Sequence, residues 1–264
     1  MSKRLFEAAK HADLYAKYRP NYGEDIYERI FNFCRDGGNC FKLAVDVGCG
    51  SGQSTKHLTR YFKQVVGVDV SPKQVEHAAS DVPNLKFEVG FAESFSTVIP
   101  PYTADLVTIA QAIHWVDTGR FYGEVDKVLR PGGAVVVYGY GNCTLDNPQA
   151  QEIISKFYWG TLKGYWDDKR DHINSHYREF SLPYQGFFRD ESLKISKEWT
   201  VDQFVGYLAS WSGWQSYLKA HPSASDLENI RQTLATLYKP SAGEESKVNI
   251  SWPVFMLLGQ KPKD

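Results

Sequence analysis

The sequence predicts a doubly wound α/β fold, in which helices cover both faces of a parallel sheet. Five short, valine-rich apolar runs follow one another through the first 140 residues: "KLAVDVG", "KQVVGVDV", "NLKFEVG", "ADLVTIA" and "GAVVVYGY". They lack the alternation of a half-exposed strand, which indicates strands that are buried on both faces. Helical segments separate these runs, and repeated strand, helix and strand is typical of a doubly wound sheet.

Two of the intervening segments carry clear helix boundaries. In "SPKQVEHAA", Ser71 and Gln74 have the spacing of a capping box, and Pro72 stands at the first helical position. The segment "TGRFYGEVDKVL" ends at "RPGG", where proline and glycine stop a helix. Ligands in such folds bind beyond the carboxyl ends of the strands, so the residues that follow each strand are the functional candidates.

Length and charge exclude several classes of protein. The chain has 264 residues, 30 basic and 31 acidic, with a net charge of −1, so it has no overall attraction to nucleic acid or to an anionic membrane. No segment approaches the roughly 20 apolar residues of a membrane span, and the N-terminus lacks the apolar centre of a signal peptide. We therefore expect a soluble, cytoplasmic protein. The cysteines show no metal-type spacing, so we expect free thiols and no metal site. They are Cys34, Cys40, Cys49 and Cys143.

A glycine-rich turn follows the first predicted strand. Gly48, Gly50 and Gly52 in "VDVGCGSG" stand between that strand and the first helix. Without side chains there, a ligand can approach the backbone amides and the positive end of the helix. Asp69 ends the second strand, about twenty residues later, where a carboxylate can accept hydrogen bonds from both hydroxyls of a ribose. The pattern therefore predicts an adenosine-type ligand.

The glycine spacing separates two possible ligands of this type. The dinucleotide fingerprint G-x-G-x-x-G/A would place its last position on Gln53, which is too large for close packing of helix on strand. The spacing here is G-x-G-x-G, with Asp46 two residues ahead of it. The chain here resembles the class I S-adenosylmethionine-dependent methyltransferases. Four further motifs agree in order over roughly residues 40 to 140: "VVGVDVS", "VGFAESF", "DLVTIAQAIHWV" and "VLRPGGAVVV".

The resemblance implies a Rossmann-like sheet of seven strands, with S-adenosylmethionine as methyl donor. The last two strands would be "FFRDESLKIS" and "VNISWPVFMLLGQK", the latter antiparallel at or near the edge. We expect one domain over residues 1–264, with an N-terminal helical cap (1–40), a cofactor-binding core (41–145), a helical lid insertion (146–186) and C-terminal strands and helices (187–264). Three further stretches, "HADLYAKYRPNY", "QAIHW" and "YLASWSGWQSYL", look like the branch that includes trans-aconitate methyltransferase and related small-molecule enzymes.

The resemblance also assigns cofactor roles to individual residues. Asp46 would lie beside the amino group of the cofactor, and Asp69 would hold the ribose, while the three glycines form the loop. Ala92 and Glu93 would border the adenine. The alternative for both aspartates is a carboxylate that only caps a loop.

Further cofactor residues come from the fourth strand and the N-terminal segment. Ala110 and Gln111 would flank the methionine portion. Tyr18 and Arg19 would fold over the site, with Arg19 as partner of the cofactor carboxylate. A simple surface ion pair is the alternative for Arg19.

The acceptor site is less clearly encoded. Six of the seven tryptophans follow residue 150, and an aromatic lid would shape an apolar pocket and exclude water. These aromatics could instead form the insertion's own core. The substrate-binding candidates are His114, Trp115, Trp159, Trp166 and Trp211.

The chemistry leaves the acceptor atom open. Methyl transfer from a sulfonium requires alignment and desolvation, and a base only if the nucleophile arrives protonated. A carboxylate needs no base, whereas a hydroxyl or amine could use His114, the catalytic candidate. Arg178 and Arg189 could bind an acidic substrate. We expect a small-molecule acceptor and a monomer or weak dimer. A cofactor-binding sensor or partner-binding module without turnover is the alternative.

Overall fold

The computed structural model describes residues 17–38, 40–78, 81–239 and 246–263, and it confirms the predicted parallel sheet. Five strands run in parallel in the order β3-β2-β1-β4-β5. All five residues of the first strand and six of the seven in the fourth are buried, which explains why neither alternates in sequence. The bounds are β1 Leu43–Val47, β2 Gln64–Asp69, β3 Leu85–Val89, β4 Ala104–Ala110 and β5 Leu129–Tyr140.

A long C-terminal strand completes the sheet. The remaining strands are β6 Thr144–Leu145, β7 Phe188–Asp190, β8 Lys194–Thr200 and β9 Lys247–Gln260. β9 is antiparallel to each of its neighbours. Its second half, residues 254–260, lies between β5 and β7, while its first half pairs with β8 and with the short β6. Within the described residues the nine strands form one sheet, and its main part, β1 to β5 with β9 and β7, has the predicted seven strands with β9 next to the edge.

The prediction of a single strand over "FFRDESLKIS" was wrong. The stretch contains two strands, β7 and β8, separated by residues 191–193. The Asp190 carboxylate accepts hydrogen bonds from the backbone N–H and the hydroxyl of Ser192, at 3.0 and 2.6 Å. Such a side-chain turn redirects the chain, because an aspartate can bond the backbone two residues ahead.

Two helices begin at residues whose side chains cap them. Ser71 Oγ accepts a hydrogen bond from the Gln74 N–H at 3.4 Å, and Asp117 accepts one from the Arg120 N–H at 3.1 Å. The helices are α1 Glu24–Asp36, α2 Thr55–Leu58, α3 Pro72–Ala78, α4 Thr118–Val128, α5 Pro148–Lys156, α6 Arg170–Asn174, α7 Val201–Ala209, α8 Ser212–Ala220 and α9 Asp226–Leu237. A π-helical turn, Phe157–Thr161, continues α5.

The two faces of the sheet carry separate apolar cores. Val135 and Val137 of β5 pack with residues of α4 on one face. Val136 and Tyr138 point to the other face and pack with residues of α1, α7 and α8. Alternate residues of one strand therefore belong to different cores, and the aromatic helices α7 and α8 lie over the face that Tyr138 occupies.

Three further features of the described residues bear on disulfides, membrane spans and metal sites. None of the four cysteines forms a disulfide, and three of them are at least partly buried. In the described ranges, no helix combines the length and apolar character that crossing a membrane requires. Those ranges also contain no cluster of three or more metal-ligating side chains.

Candidate active site

The glycine-rich turn, residues 48–52, is the predicted cofactor-binding loop, and we call it the cofactor loop. Its three glycines have φ angles of 68°, 53° and 76°, a region that side chains disfavour. A Cβ atom on Gly48 would lie 2.7 Å from the Cβ of Ala112, and one on Gly52 would lie 2.6 Å from the ring of Phe87. A Cβ on Gly50 would meet no atom within 4 Å. Two glycines thus allow close packing, and the middle one borders open space.

Asp69 lies beside this open space at the end of β2. Its Oδ2 accepts a hydrogen bond from the Gly50 N–H at 2.8 Å, and its Oδ1 accepts one from the Ser71 N–H at 2.9 Å. These bonds orient the carboxylate and tie it to the cofactor loop. A carboxylate has about four acceptor positions, so both oxygens can still accept a ribose hydroxyl. The site therefore fits an adenosine group.

Asp46 lies beneath the loop and is only 1% exposed. Its oxygens accept hydrogen bonds from the hydroxyls of Thr55 and Thr108, at 2.6 and 2.7 Å. Burial raises the pKa of Asp46 to about 6, although the two hydroxyls act in the opposite direction. The carboxylate joins the start of α2 to β4. Its contact with the amino group of the cofactor stays a prediction.

Ala92 and Glu93 follow β3 and lie near the start of α4. Glu93 Oε1 accepts a hydrogen bond from the N–H of Asp117, the residue that caps this helix, at 3.0 Å. Ala92 packs in part against the core on the α4 side. The neighbouring Phe91 is 58% exposed, which is unusual for a large apolar ring. These positions are compatible with an adenine border, and that role stays a prediction.

Gln111 follows Ala110 at the end of β4 and has a strained backbone, with a φ angle of 53°. Its N–H donates to the carbonyl of Tyr138 at 2.9 Å, and its Nε2 donates to that of Tyr140 at 3.0 Å. Its Oε1 is buried and has no hydrogen-bond partner in the described part of the chain. A buried acceptor of this kind suits a donor group on a ligand.

Tyr18 and Arg19 contact the C-terminal helices. The ring of Tyr18 lies against α7, 2.6 Å from where a Cβ on Gly206 would stand. Arg19 Nη2 donates to the carbonyl of Ser210 at 3.3 Å, and its guanidinium lies 5.7 Å from the ring centroid of Tyr207. Tyr18 and Arg19 thus lie over the face of the sheet that Tyr138 occupies. The contact of Arg19 with the cofactor carboxylate stays a prediction.

Tyr22 lies at the same edge, and the sequence analysis assigned it no role. Its ring is edge-on to Tyr138 and Tyr140 at the end of β5, with centroids 4.9 and 5.8 Å apart. Its hydroxyl is buried without a hydrogen-bond partner among the described residues. The available signal was its position in "YRPNY", three residues after Arg19.

His114 lies in the 3₁₀ turn after β4 and is 5% exposed. Its Nδ1 is 2.7 Å from the hydroxyl of Tyr177. Burial lowers its pKa to about 3, and the positive charge of Arg170, followed by the effects of His172 and Lys169, acts in the same direction. The imidazole is therefore neutral at pH 7 and is a weak base.

Trp115 shares this turn with His114. The two ring centroids lie 4.8 Å apart. Lys169 crosses the indole with its Nζ 5.4 Å from the ring centroid, and the same nitrogen donates to the Trp115 carbonyl at 3.4 Å. An ammonium over an aromatic face is held by the ring's quadrupole, so a positive charge is fixed beside the turn.

Two predicted substrate residues meet in an aromatic cluster, which comprises Tyr158, Trp166, Tyr207 and Trp211. Trp211 is 1% exposed, and its centroid lies 5.5 to 5.6 Å from those of Tyr158, Trp166 and Tyr207. Its Nε1 has no hydrogen-bond partner within the described ranges. Trp159 is 58% exposed, and its ring is edge-on to that of Tyr158 with centroids 4.6 Å apart. Trp166 and Trp211 thus meet inside the cluster, whereas Trp159 lies at its exposed edge.

The two arginines proposed for an acidic substrate have other partners. Arg189 donates to the backbone carbonyls of His176 and Tyr177, both at 2.8 Å. The side chain of Arg178 is 70% exposed and lies 3.5 Å from Glu191. Both stabilise the segment before β7 and do not join the aromatic cluster.

Arg170 contacts two rings of the aromatic cluster, those of Tyr158 and Trp166, while Arg19 contacts the ring of Tyr207. Arg170 Nε donates to the Tyr158 hydroxyl at 2.9 Å and its Nη2 to Asn142 Oδ1 at 2.7 Å. Asn174 Oδ1 accepts from both Tyr158 and Asn142, at 2.9 and 3.1 Å, which closes a ring of four side chains. The guanidinium also lies 5.2 Å from the centroid of Trp166. We call these four residues the arginine ring.

Comparisons with known proteins agree with this geometry. A family model described as "Methyltransferase domain" matches residues 45–137. A Dictyostelium discoideum protein named as a methyltransferase is 32% identical over 249 residues, which cover 94% of this chain and 92% of that protein. A Saccharomyces cerevisiae protein named as an S-adenosylmethionine-dependent methyltransferase is 27% identical over 285 residues, covering 94% of each chain.

A solved structure extends the agreement to the whole fold. It belongs to an Anaeromyxobacter dehalogenans protein named as a type II methyltransferase, with a TM-score of 0.78 and 30% identity. The match covers 93% of this chain and 99% of that one. The cofactor loop and the ribose-side carboxylate fit S-adenosylmethionine, which is the methyl donor. The chain belongs to the class I S-adenosylmethionine-dependent methyltransferases.

Proposed function

We propose that this enzyme methylates a carboxylate oxygen of a small molecule. The observation that carries the proposal is the setting of His114, the one candidate base from the sequence analysis. It is held by Tyr177, and burial lowers its pKa to about 3, with the positive charges of Arg170 and Lys169 acting in the same direction, so it is neutral at pH 7. This setting disfavours proton abstraction and favours a substrate that is already an anion.

A carboxylate meets both conditions. Its ordinary pKa is about 4, so it is ionised at neutral pH and has no proton to lose. Bound S-adenosylmethionine supplies a methyl group on a positively charged sulfur. The chain's own part is to hold the cofactor at the loop and Asp69, to align the acceptor and to exclude water with the aromatic cluster.

Two alternatives remain testable. If the Nδ1–H of His114 donates to the Tyr177 oxygen, its Nε2 is free to accept a proton, and a hydroxyl or amine acceptor could use it. The cofactor site could also serve a sensor or partner-binding module, since the loop and Asp69 bind the cofactor whether or not transfer follows.

The test supplies methyl-labelled S-adenosylmethionine and a panel of small carboxylic acids, including trans-aconitate, to the purified protein. We expect a methyl ester that mild alkali hydrolyses with release of methanol, and a loss below about tenfold in kcat for His114→Ala. His221→Ala is the matched control, because His221 also bonds a tyrosine hydroxyl, that of Tyr165, at 2.8 Å but lies on the surface.

Two results would reject the proposal. A base-stable N-methyl or ether product, with a loss of several orders of magnitude in His114→Ala alone, would make His114 the general base. Failure to release S-adenosylhomocysteine with any acceptor, in a protein that binds the cofactor, would favour the sensor.

We also propose that residues 146–186 act as a lid over the acceptor and that residues 1–40 form a cap. Residues 1–16 and 39 of the cap lie outside the described residues. Support comes from the π-helical turn, which carries Tyr158, from α6, which carries Arg170, and from the segment between them, which carries Trp166. Hydrogen exchange should show that S-adenosylhomocysteine protects residues 150–180, and equal protection with and without it would contradict the lid. Light scattering tests the expected monomer or weak dimer.

A further inference from the structure

The arginine ring holds one edge of the Arg170 guanidinium and leaves the other edge available. Arginine has five N–H donors in a planar, rigid arrangement. The Nε–H and one hydrogen of Nη2 are bound by Tyr158 and Asn142. No hydrogen bond is described for Nη1. The Nη1–Nη2 edge therefore retains the two parallel N–H donors that match the two oxygens of a carboxylate.

The partners of Arg170 in this ring are neutral. Tyr158 and Asn142 accept its hydrogen bonds through a hydroxyl and an amide oxygen, and among the described residues no carboxylate lies within ion-pair distance of it. The charge is thus oriented without being neutralised. A buried or half-buried arginine usually pairs with an acid, so this arrangement is unusual for a residue that only stabilises the fold.

The positive charge of Arg170 acts at the carboxyl edge of the sheet. His114 follows β4. Burial is the largest cause of its lowered pKa, and the positive charge of Arg170 is the second largest. Burial also raises the pKa of Cys143, after β5, to about 12, and the charges of Arg170 and Arg19 act against that increase. Arg170 is therefore close to the ends of both strands that border the predicted methionine side of the cofactor.

We propose that the Nη1–Nη2 edge of Arg170 binds a carboxylate of the methyl acceptor and selects acids over their neutral analogues. The inference rests on the proposed function and names the specificity-determining residue for its acceptor. Tyr158 and Trp166 lie within 6 Å of the guanidinium and fix its plane, with centroids at 5.7 and 5.2 Å. A bidentate contact requires such a fixed plane, because both N–H groups must face the carboxylate together.

Calorimetry on the protein saturated with S-adenosylhomocysteine tests this without requiring turnover. The probes are acetate, hexanoate, phenylacetate and trans-aconitate, each compared with its amide. We expect at least one acid to bind about tenfold or more tightly than its amide, since charge-assisted bidentate pairs are the stronger ones. In Arg170→Gln this preference should fall below about twofold. Arg170→Lys should keep part of it, because lysine keeps the charge but loses the paired donors.

Two further variants separate binding from folding. Arg178→Gln removes an exposed arginine that is paired with Glu191, and it should keep the full preference. Asn142→Asp leaves Arg170 in place but gives it a carboxylate partner within the ring, so it should lose the preference as Arg170→Gln does. Unchanged affinity for S-adenosylhomocysteine shows that each variant is folded.

The outcomes distinguish this inference from the proposed function. An acid preference that survives in Arg170→Gln overturns the inference, and so does the failure of every acid to bind better than its amide. Formation of a methyl ester in either case still supports carboxylate methylation. If Arg170→Gln abolishes the preference but the product is base-stable, Arg170 holds a carboxylate that does not react, and the proposed function is wrong.

Discussion

The cofactor loop and the arginine ring lie at the same edge of the sheet but are built from different groups. The loop presents backbone: three glycines with positive φ angles and an amide bonded to Asp69, only 19 residues away. The arginine ring consists of side chains from three separate segments, and its four hydrogen bonds join residues 12, 16, 28 and 32 positions apart. The first site is therefore set by a short local sequence, and the second by how distant segments pack.

Because one site is made of backbone and the other of side chains, the two sites tolerate amino-acid substitutions differently. A loop made of backbone tolerates almost no substitution, because a Cβ atom at Gly48 or Gly52 would meet a neighbour. A ring of side chains can be altered one member at a time without moving the strands below it. We expect relatives of this enzyme to share the first site and to differ in the second, as enzymes that use one cofactor on several acceptors require.

The largest effect should come from Gly50→Val. A β-branched residue at a φ of 53° is strained, and its methyl groups would occupy the open space beside Asp69. We expect calorimetry to show at least about a 100-fold loss of S-adenosylmethionine affinity. Gly186→Val is the matched control, because Gly186 has a φ of 74° and equally open surroundings but lies before β7. Equal affinities in the two variants would place the cofactor elsewhere.

Next in size is the stability effect of Asp46. Its pKa is raised from 3.8 to about 6 in the folded protein, so the folded state binds more protons than the unfolded state between these values. The contribution of this group to the free energy of unfolding therefore decreases as pH rises from about 4 to 6, by about 3 kcal/mol in total.

Urea unfolding of the wild type and Asp46→Asn from pH 4 to 7 measures this contribution. The wild type should lose stability relative to the variant as pH rises, because asparagine has no proton to release. The threonine hydroxyls can still bond the amide of the variant, since a hydroxyl both donates and accepts. Parallel curves for the two proteins would show that Asp46 titrates normally.

Removing Asp69, the carboxylate proposed to bind the ribose, should reduce the free energy of cofactor binding by a similar amount. Asp69→Ala removes the acceptor of the Gly50 and Ser71 N–H groups together with the proposed ribose contact. The affinity for S-adenosylmethionine should fall about 30- to 150-fold, which corresponds to about 2–3 kcal/mol for hydrogen bonds to a charged group. Asp69→Asn should bind with intermediate affinity. Wild-type affinity in the alanine variant would remove Asp69 from the site.

The smallest effect distinguishes two tyrosines on the acceptor side. The Tyr138 hydroxyl bonds Ser54 Oγ, whereas that of Tyr22 has no partner within the described ranges. Tyr138→Phe should lower the free energy of unfolding by about 1 kcal/mol, and Tyr22→Phe should leave it unchanged or slightly raise it. If Tyr22 contacts a substrate, only Tyr22→Phe should raise KM at unchanged stability. Equal destabilisation by both would give Tyr22 a structural role.

The sequence predicted the first half of the molecule well for a physical reason. Strand burial, helix caps and the glycine spacing act over a few residues, so "VDVGCGSG" and "SPKQVEHAA" contain their own structural information. The break between β7 and β8 depends on a single side-chain turn at Asp190, within the short polar stretch "RDES" between two groups of apolar residues.

The acceptor side was harder to predict because its residues meet only in three dimensions. Arg170 lies in a charged stretch of the sequence, "DDKRDHINSHYREF", where it resembles its neighbour Arg178. The residues around Arg170 and Arg178 in the sequence do not show that Arg170 bonds Asn142 and Tyr158 while Arg178 pairs with Glu191. The arginine ring depends on α6 and the end of β5 coming together, which short-range patterns do not encode.

The double pairing of β9 has a consequence for how the chain folds during synthesis. Both halves of the molecule require residues 247–260: β5 needs them on one side, and β6, β7 and β8 pair with them. A ribosome makes these residues after all the other strands, so the parallel strands can assemble first while β6, β7 and β8 have no partner. Such late, long-range pairing slows folding and leaves strand edges exposed in the nascent chain. We therefore expect the parallel strands to form before residues 247–260 are made, and the acceptor half only after them.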